Sequence, residues 1–286
     1  MAAVAVQQAD LRAENVSRVV VGFALSEYRL KQLCIVQSSN SWTETYYQET
    51  ATELTGGLGS NIKGIPRLAN FPYGEPTWTK TSSRLEKYGI EGVISWEDQR
   101  TNAVDVIART LLRIARAVAK AVDDEIYTRI TTDNGNSVAA AATWNSAVVA
   151  DRDPIQDILN AIRECQIDNY DPLGGNGFLL LSPTDYANLL GNANVRNAGQ
   201  FYSDDVTRNG RVGRLLGLNV IVSNSVTADE AAVVIAKEAL TWKAAASLTV
   251  VTIDDPGIKT TIRAWEVGVT QAINPNAVCI ITNTQA

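Results

Sequence analysis

The feature that most constrains the fold is the stretch 95–130, in which apolar side chains recur every three or four positions. This spacing predicts an amphipathic helix with one buried face. Ser95 or Asn102 can cap its N-terminus, and neither glycine nor proline interrupts it. At about 1.5 Å per residue, a helix of roughly 36 residues spans about 50 Å. We therefore expect an extended support along which other elements pack.

The segment before this helix, residues 42–94, predicts a long two-stranded hairpin. Two runs rich in threonine and aromatic residues, beginning at Trp42 and Thr77, are typical of β-strands. Glycines and prolines are frequent between them and predict an irregular tip. Neither face of the second strand is apolar enough to cover a core, and an isolated hairpin is only marginally stable in water. We expect the hairpin to lie across another molecule; a flexible surface insertion is the alternative.

The remaining sequence alternates helices and strands and predicts an α+β protein. A helix over 155–167 follows Asp153, a plausible cap, and Pro154, and a long polar loop covers 192–209. Strands are predicted at 178–181, 218–222, 232–235, 248–253, 258–267 and 277–282. We expect four parts: an N-terminal arm (1–41), the hairpin (42–94), a domain formed by 95–149 and 241–286 around the helix 95–130, and a domain over 150–240 inserted into it.

Composition excludes several classes of function. The chain carries 25 basic and 31 acidic side chains, a net charge of −6, which argues against nucleic-acid binding through a large basic surface. It contains no histidine, so Ser–His and Cys–His nucleophile systems are excluded. Its three cysteines lie far apart without a CxxC motif, which gives no zinc pattern or disulfide framework. We expect a soluble intracellular protein with no catalytic residues, no cofactor, no metal and no membrane partner.

Two local patterns suggest ligand sites, and both are rejected. The glycine-rich run 56–64 lacks the third glycine of a GxGxxG motif, and no GK[ST] follows it, so it matches neither phosphate-binding template. The acidic run Asp123-Asp124-Glu125 could hold a cation, but a solvated acidic turn of the helix is the favoured interpretation.

Two sets of side chains are candidate contacts with a neighbouring subunit. The hairpin carries more aromatic residues than an exposed hairpin leaves in water, although these could also pack locally at its base. A basic row at helical spacing forms either the solvated face of the long helix or a contact surface for a neighbour's acidic loop or an enclosed polyanion. The candidates are Trp42, Tyr46, Tyr47, Phe71, Tyr73, Trp78 and Arg84 in the hairpin, and Arg109, Arg113, Arg116 and Lys120 in the helix.

An ordered series of short motifs resembles one known family. The entry into the long helix, its acidic end, a strand followed by a Ser-Pro-led helix, a Leu-Gly-strand segment and a late strand with a basic residue occur in the family's order. These motifs are residues 93–98, 123–126, 177–186, 214–223 and 262–268. Together with the hairpin they resemble the major capsid proteins of tailed bacteriophages with the HK97 fold, over about residues 40–283.

The resemblance implies a subunit with an N-arm, an extended β-hairpin loop lying on the neighbouring subunit, a peripheral domain with a long spine helix, and an inserted axial domain. Such subunits form pentamers and hexamers of an icosahedral shell around double-stranded DNA, bound non-specifically. Separate scaffolding, portal or decoration proteins are further expected partners. The implied location is the virion capsid, assembled in the host bacterial cytoplasm. An encapsulin-like compartment for cargo enzymes and a cytosolic α/β enzyme with a site in 150–240 are the alternatives.

Overall fold

The structure is a computed structural model that describes residues 13–49, 55–56, 64–75, 77–101, 106–192, 195 and 213–286. Helices and strands are mixed along the chain, which confirms the predicted α+β class. The helices are α1 (Ala13–Glu27), α2 (Trp96–Thr101), α3 (Val106–Thr132), α4 (Pro154–Ile167) and α5 (Pro183–Gly191). The strands are β1 (Ile35–Ser38), β2 (Thr43–Glu49), β3 (Thr55–Gly56), β4 (Gly74–Glu75), β5 (Trp78–Arg84), β6 (Glu86–Ser95), β7 (Asn136–Ala139), β8 (Gly177–Leu181), β9 (Arg214–Leu215), β10 (Leu218–Val222), β11 (Glu230–Ile235), β12 (Leu240–Asp255), β13 (Lys259–Ala272) and β14 (Val278–Thr282).

Two helices among the described residues, α2 and α3, lie within the predicted long helix. Ser95 caps the first, because its Oγ accepts a hydrogen bond from the Asp98 N–H at 3.0 Å. Residues 102–105, which include the alternative cap Asn102, lie outside the described residues. With 27 residues, α3 spans about 40 Å. Its predicted apolar stripe is confirmed by the buried residues Leu111, Ile114, Ala115, Val118, Ala119, Val122, Ile126 and Ile130.

A four-stranded sheet in the order β1-β12-β13-β6 packs against α1 and α3. Ile94 and Ile262 from the sheet are buried in the same cluster as Ile114 from α3. Gly92 marks the closest approach of sheet and helix, since a Cβ there would lie 2.5 Å from Ile114 Cδ1. The β12–β13 hairpin is longer than the sequence predicted. Leu240 to Trp242 are all buried, so this part of β12 lacks the alternation that marks a strand.

The N-terminal segment, expected as an arm, contains the helix α1. Val16 and Val20 are buried in the cluster that α3 also lines. The Asp123 carboxylate of α3 accepts hydrogen bonds from the backbone N–H groups of Arg29 at 2.9 Å and Leu30 at 3.1 Å. β1 then pairs in parallel with β12. The described part of this segment is therefore docked on its own chain, while residues 1–12 lie outside the described residues.

A six-stranded sheet in the order β7-β14-β11-β8-β10-β9 forms the second layer and the largest core cluster. The predicted helix cap is confirmed, because Asp153 Oδ1 accepts from the Gln156 N–H at 3.2 Å. Two strands, β7 and β14, come from outside the predicted 150–240 domain. The strand β14 lies between β7 and β11, and all of its residues except the last are buried. The boundaries at 150 and 240 stay a prediction, but they do not follow the edges of the sheets.

Apart from Asn192 and Val195, the predicted loop 192–209 lies outside the described residues. Within the described ranges, no helix has the length and apolar character needed to cross a membrane.

Candidate subunit interface

The hairpin predicted from the threonine-rich segments is present, with different bounds. β2 and β5 pair antiparallel, from Thr43 opposite Arg84 to Glu49 opposite Trp78. The second predicted strand does not continue along the hairpin, because β6 leaves it and pairs with β13 in the four-stranded sheet. Leu85 stands at this change of sheet, buried in a cluster with Val267 and Val269 of β13. The two-stranded part therefore ends at residue 84.

The inner face of the hairpin is fixed to its own chain. Tyr46 is 7% exposed, and burial raises the pKa of its hydroxyl. The Gln271 Nε2 donates a hydrogen bond to the buried Ser83 Oγ at 3.0 Å. Glu49 belongs to the opposite face, across from Trp78, and at that end of the strands its carboxylate accepts a hydrogen bond from the Tyr170 hydroxyl at 3.1 Å. For Tyr46 the structure thus supports the alternative of local packing at the hairpin base.

The outer face of the hairpin remains open to solvent. Tyr47 and Trp78 are each 58% exposed, and their ring centroids lie 6.4 Å apart at an angle of 59°. Arg84 shares this face, and Trp42 at the start of the hairpin is also exposed. Large aromatic side chains carry most of their favourable energy in burial. This exposed pair therefore forms a surface suited to a partner.

The tip of the hairpin adds a second exposed apolar group. Leu68, Phe71 and Tyr73 are each at least 74% exposed, which is unusual for three large apolar side chains within six positions. Residues 57–63, which include most of the rejected glycine-rich run, lie outside the described residues. The predicted candidates Phe71 and Tyr73 therefore belong to an exposed tip, separate from the paired strands that carry Tyr47 and Trp78.

The predicted basic row lies on one exposed face of α3. Two of its members have partners: Arg116 Nε donates to Glu27 Oε1 at 2.9 Å, and Lys120 Nζ lies 3.4 Å from Asp124 Oδ2. In the described part of the chain, Arg109 and Arg113 make no ion pair. The row is thus partly a solvated helix face with its own salt bridges and partly a pair of available cations.

The structure does not bring the two candidate sets together. Tyr46 lies near Arg129 and Asp133 at the C-terminal end of α3, since both influence its pKa. The basic row occupies the N-terminal half of the same helix. The rise from Lys120, the nearest member of the row, to Arg129 is about 14 Å. The hairpin and the row are therefore two separate surfaces.

The acidic run of α3 has a role that sequence patterns missed. Asp123 is buried, so the expectation of a solvated turn is wrong for this residue. Burial raises the pKa of its carboxyl to about 6, although the hydrogen bonds from the backbone of Arg29 and Leu30 oppose this. Asp124 and Glu125 lie beside Lys120 and Arg129. Among the described residues, no group of acidic or cysteine side chains is arranged to hold a metal ion.

A buried polar cluster centred on Glu266 was also missed. This fully buried carboxylate accepts hydrogen bonds from the Tyr28 hydroxyl at 2.5 Å and from the Trp242 Nε1 at 3.2 Å, and it forms an ion pair with Lys31. The ammonium group of Lys31 also lies 4.5 Å from the centroid of the Tyr28 ring. Glu266 stands between two apolar residues of a strand, where no spacing rule marks it. The cluster ties the N-terminal segment to β12 and β13.

The whole arrangement is similar to solved capsid structures. It matches the capsid structure of the cyanophage P-SCSP1u with a TM-score of 0.67 and 14% identity, over 90% of this chain and 88% of that chain. It matches Mycobacterium phage Che8 at 0.61 and 18% identity, over 86% of each chain. A virus-like particle from Pyrococcus furiosus matches at 0.63 and 12% identity, over 94% and 98%. At these identities the likeness defines the fold alone, which is an HK97-like capsid fold.

Sequence comparison then identifies the family. A model of the family described as phage capsid protein matches residues 78–281, well over half of the chain, and the chain belongs to this family. The sequence has no match among curated proteins. The protein is therefore a major capsid protein, structural and not enzymatic, with its place in the virion capsid. The encapsulin-like alternative is not favoured, and the enzyme alternative is set aside.

Proposed function

We propose that this capsid protein assembles into pentamers and hexamers that close into an icosahedral shell around double-stranded DNA. Self-assembly follows from the family and from the shells in which its structural relatives occur. The observation that carries the finer proposal is the exposed aromatic surface of the hairpin, formed by Tyr47 and Trp78. In this proposal that surface is buried by a neighbouring copy of the chain.

The anchoring of the hairpin at both ends of its paired strands supports this role. Glu49 donates its backbone N–H to the carbonyl of Ile273 at 3.0 Å, and Ser83 is held by Gln271. A hairpin held at both ends of its paired strands presents its outer face in a defined orientation, so little ordering entropy is lost on contact. Each contact is modest, but a closed shell repeats it in every subunit and gains stability through multivalency.

The enclosed DNA is bound without sequence preference, because phosphate contacts carry no sequence information. A chain with a net charge of −6 confines such contacts to local basic surfaces. The proposal includes assembly in the cytoplasm of the host bacterium. It also allows separate scaffolding, portal or decoration proteins as partners.

Electron microscopy of the purified chain tests the proposal. We expect closed particles with five-fold and six-fold clusters of subunits. Particles isolated from the host and treated with nuclease should release double-stranded DNA after disruption. If the purified chain gives only small soluble oligomers under all assembly conditions, the shell proposal is refuted. Particles that contain enclosed protein and no DNA would instead identify a cargo compartment.

A further inference from the structure

The two sides of the four-stranded sheet differ in how their charged side chains are arranged. One side is covered by α1 and α3. On the other side Val93, Val251 and Ile253 are exposed, and the pairing of β6, β13 and β12 places them in adjacent rows. Charged residues in the same rows, Glu91 and Arg263, form an ion pair. That side therefore presents apolar side chains and balanced charge.

The helix side presents cations in a line. Arg109, Arg113, Arg116 and Lys120 follow at spacings of four, three and four, which places them within one narrow face of a helix. From first to last the row spans about 16 Å. In the described ranges, Arg109 and Arg113 have no acidic partner, so their charge is available to a ligand.

The row ends at a polar groove of about 390 Å³ that lies between α3, the link after α1 and the turn after β10. The groove adds a further guanidinium group, that of Arg29, together with hydroxyl and amide side chains. Its two acids are already engaged: Glu27 by Arg116, and Asp123 by backbone N–H groups. Ser223, Asn224 and Ser225 supply these hydroxyl and amide groups.

We propose that this helix side faces the packaged DNA, and that the row Arg109–Lys120 with its groove binds phosphate groups of the duplex. Guanidinium groups, hydroxyls and amides are the side chains that most often contact phosphate oxygens. This inference rests on the proposed enclosure of DNA and assigns the surface that carries it. It also orients the subunit, with its helix layer toward the interior of the shell.

A neighbour's acidic loop fits the row less well than a polyanion does. In the described part of the chain, exposed neighbouring acids occur in pairs, as in Glu97–Asp98 and Asp254–Asp255, and Asp254 already accepts a hydrogen bond from Thr260. Two adjacent acids lie about 3.8 Å apart along the backbone, so they can contact only a small part of a row about 16 Å long. A DNA strand offers a phosphate about every 3.4 Å along its axis and can follow the full length of the row.

Binding of a fluorescein-labelled duplex of thirty base pairs to unassembled subunits tests this assignment. Fluorescence anisotropy is measured between 50 and 200 mM salt for the wild type and for Arg109→Gln with Arg113→Gln. Each lost phosphate contact lowers the slope of log affinity against log salt by about 0.9. We expect the slope of the double variant to fall by about 2. The wild type should then lose about tenfold more affinity than the variant over this salt range.

A matched control removes two exposed lysines elsewhere, Lys237→Gln with Lys259→Gln, and should leave the slope unchanged. The assignment is overturned if the Arg109 and Arg113 variant keeps the wild-type slope, or if the control lowers it equally. Electron microscopy of the same variants separates the two proposals. Lost shells with an unchanged DNA slope would make the row a subunit contact. Failure of the wild type to form any shell would refute the proposed function, while the slope still reports on the row.

Discussion

Replacing Tyr47 and Trp78 with serine tests the proposed subunit contact most directly. An aromatic side chain buries about 150–250 Å², and each of these is 58% exposed. Roughly 100 Å² per ring remains to be covered, which corresponds to about 2.5 kcal/mol at 25 cal/mol per Å². Ordering each side chain costs about 0.5–1.5 kcal/mol. The pair should contribute about 3 kcal/mol per contact, a factor of about 100 in its equilibrium constant.

The assay is assembly of purified subunits over a concentration series, followed by light scattering and electron microscopy. We expect the threshold concentration for shells to rise about 100-fold or more in the double variant, because every subunit loses the contact. Thermal unfolding of the isolated subunit should change little. Both rings lie on the outer face and are absent from the buried core clusters.

A control variant, Val149→Ser, removes an apolar side chain that is also exposed but lies outside the hairpin. It should leave the assembly threshold unchanged. A double variant of Tyr47 and Trp78 that assembles at the wild-type threshold would contradict the argument, since the energy assigned to the rings would then not be used in assembly. An equal effect of Val149→Ser would contradict it as well.

Three further predictions concern the subunit itself. Tyr46→Ser should lower the free energy of unfolding by about 3 kcal/mol or more, because a buried aromatic ring leaves a cavity, whereas Tyr46→Phe should cost much less; urea unfolding distinguishes them. The free energy of unfolding of the wild type should fall by up to about 3 kcal/mol as pH rises from about 4 through 6. The reason is the raised pKa of Asp123, because of which the folded state binds more protons than the unfolded state in this pH range. Asp123→Asn should remove this component of the pH profile. Glu266→Ala should cost about 3–5 kcal/mol by leaving the Lys31 ammonium without its partner, and adding Lys31→Met should recover part of it.

The sequence predicted elements whose signal is local. The stripe from Leu111 to Ile130 needed only helical spacing, and the helix after Asp153 needed only a cap followed by proline. The strand at residues 178–181 is a short apolar run between turn residues, and its sheet position follows from pairing with β10 and β11. In each of these cases, the residues that decide the element lie within one window of the chain.

What the sequence could not predict depends on contacts between distant residues. Tyr46 and Tyr47 are adjacent aromatic residues on one strand, and only the position of β13 decides which of them is buried. The strand β14 joins the sheet of the inserted segment by pairing with β11. The two strands are more than forty positions apart along the chain, so no local window contains both of them. No local pattern distinguishes these outcomes.

The strand β13 connects parts of the subunit that would otherwise respond independently to a load. Near its middle, Glu266 holds Tyr28 and Lys31 of the N-terminal segment, and near its end Gln271 holds Ser83 of the hairpin. The distance between these two anchor points is only about 17 Å along an extended strand. In the proposed shell, tension on the hairpin is therefore transmitted through this strand to Tyr28 and Lys31, which follow α1. Mechanical stress on the shell wall should thus reach the N-terminal segment before it disrupts the buried cluster of the four-stranded sheet or that of the six-stranded sheet.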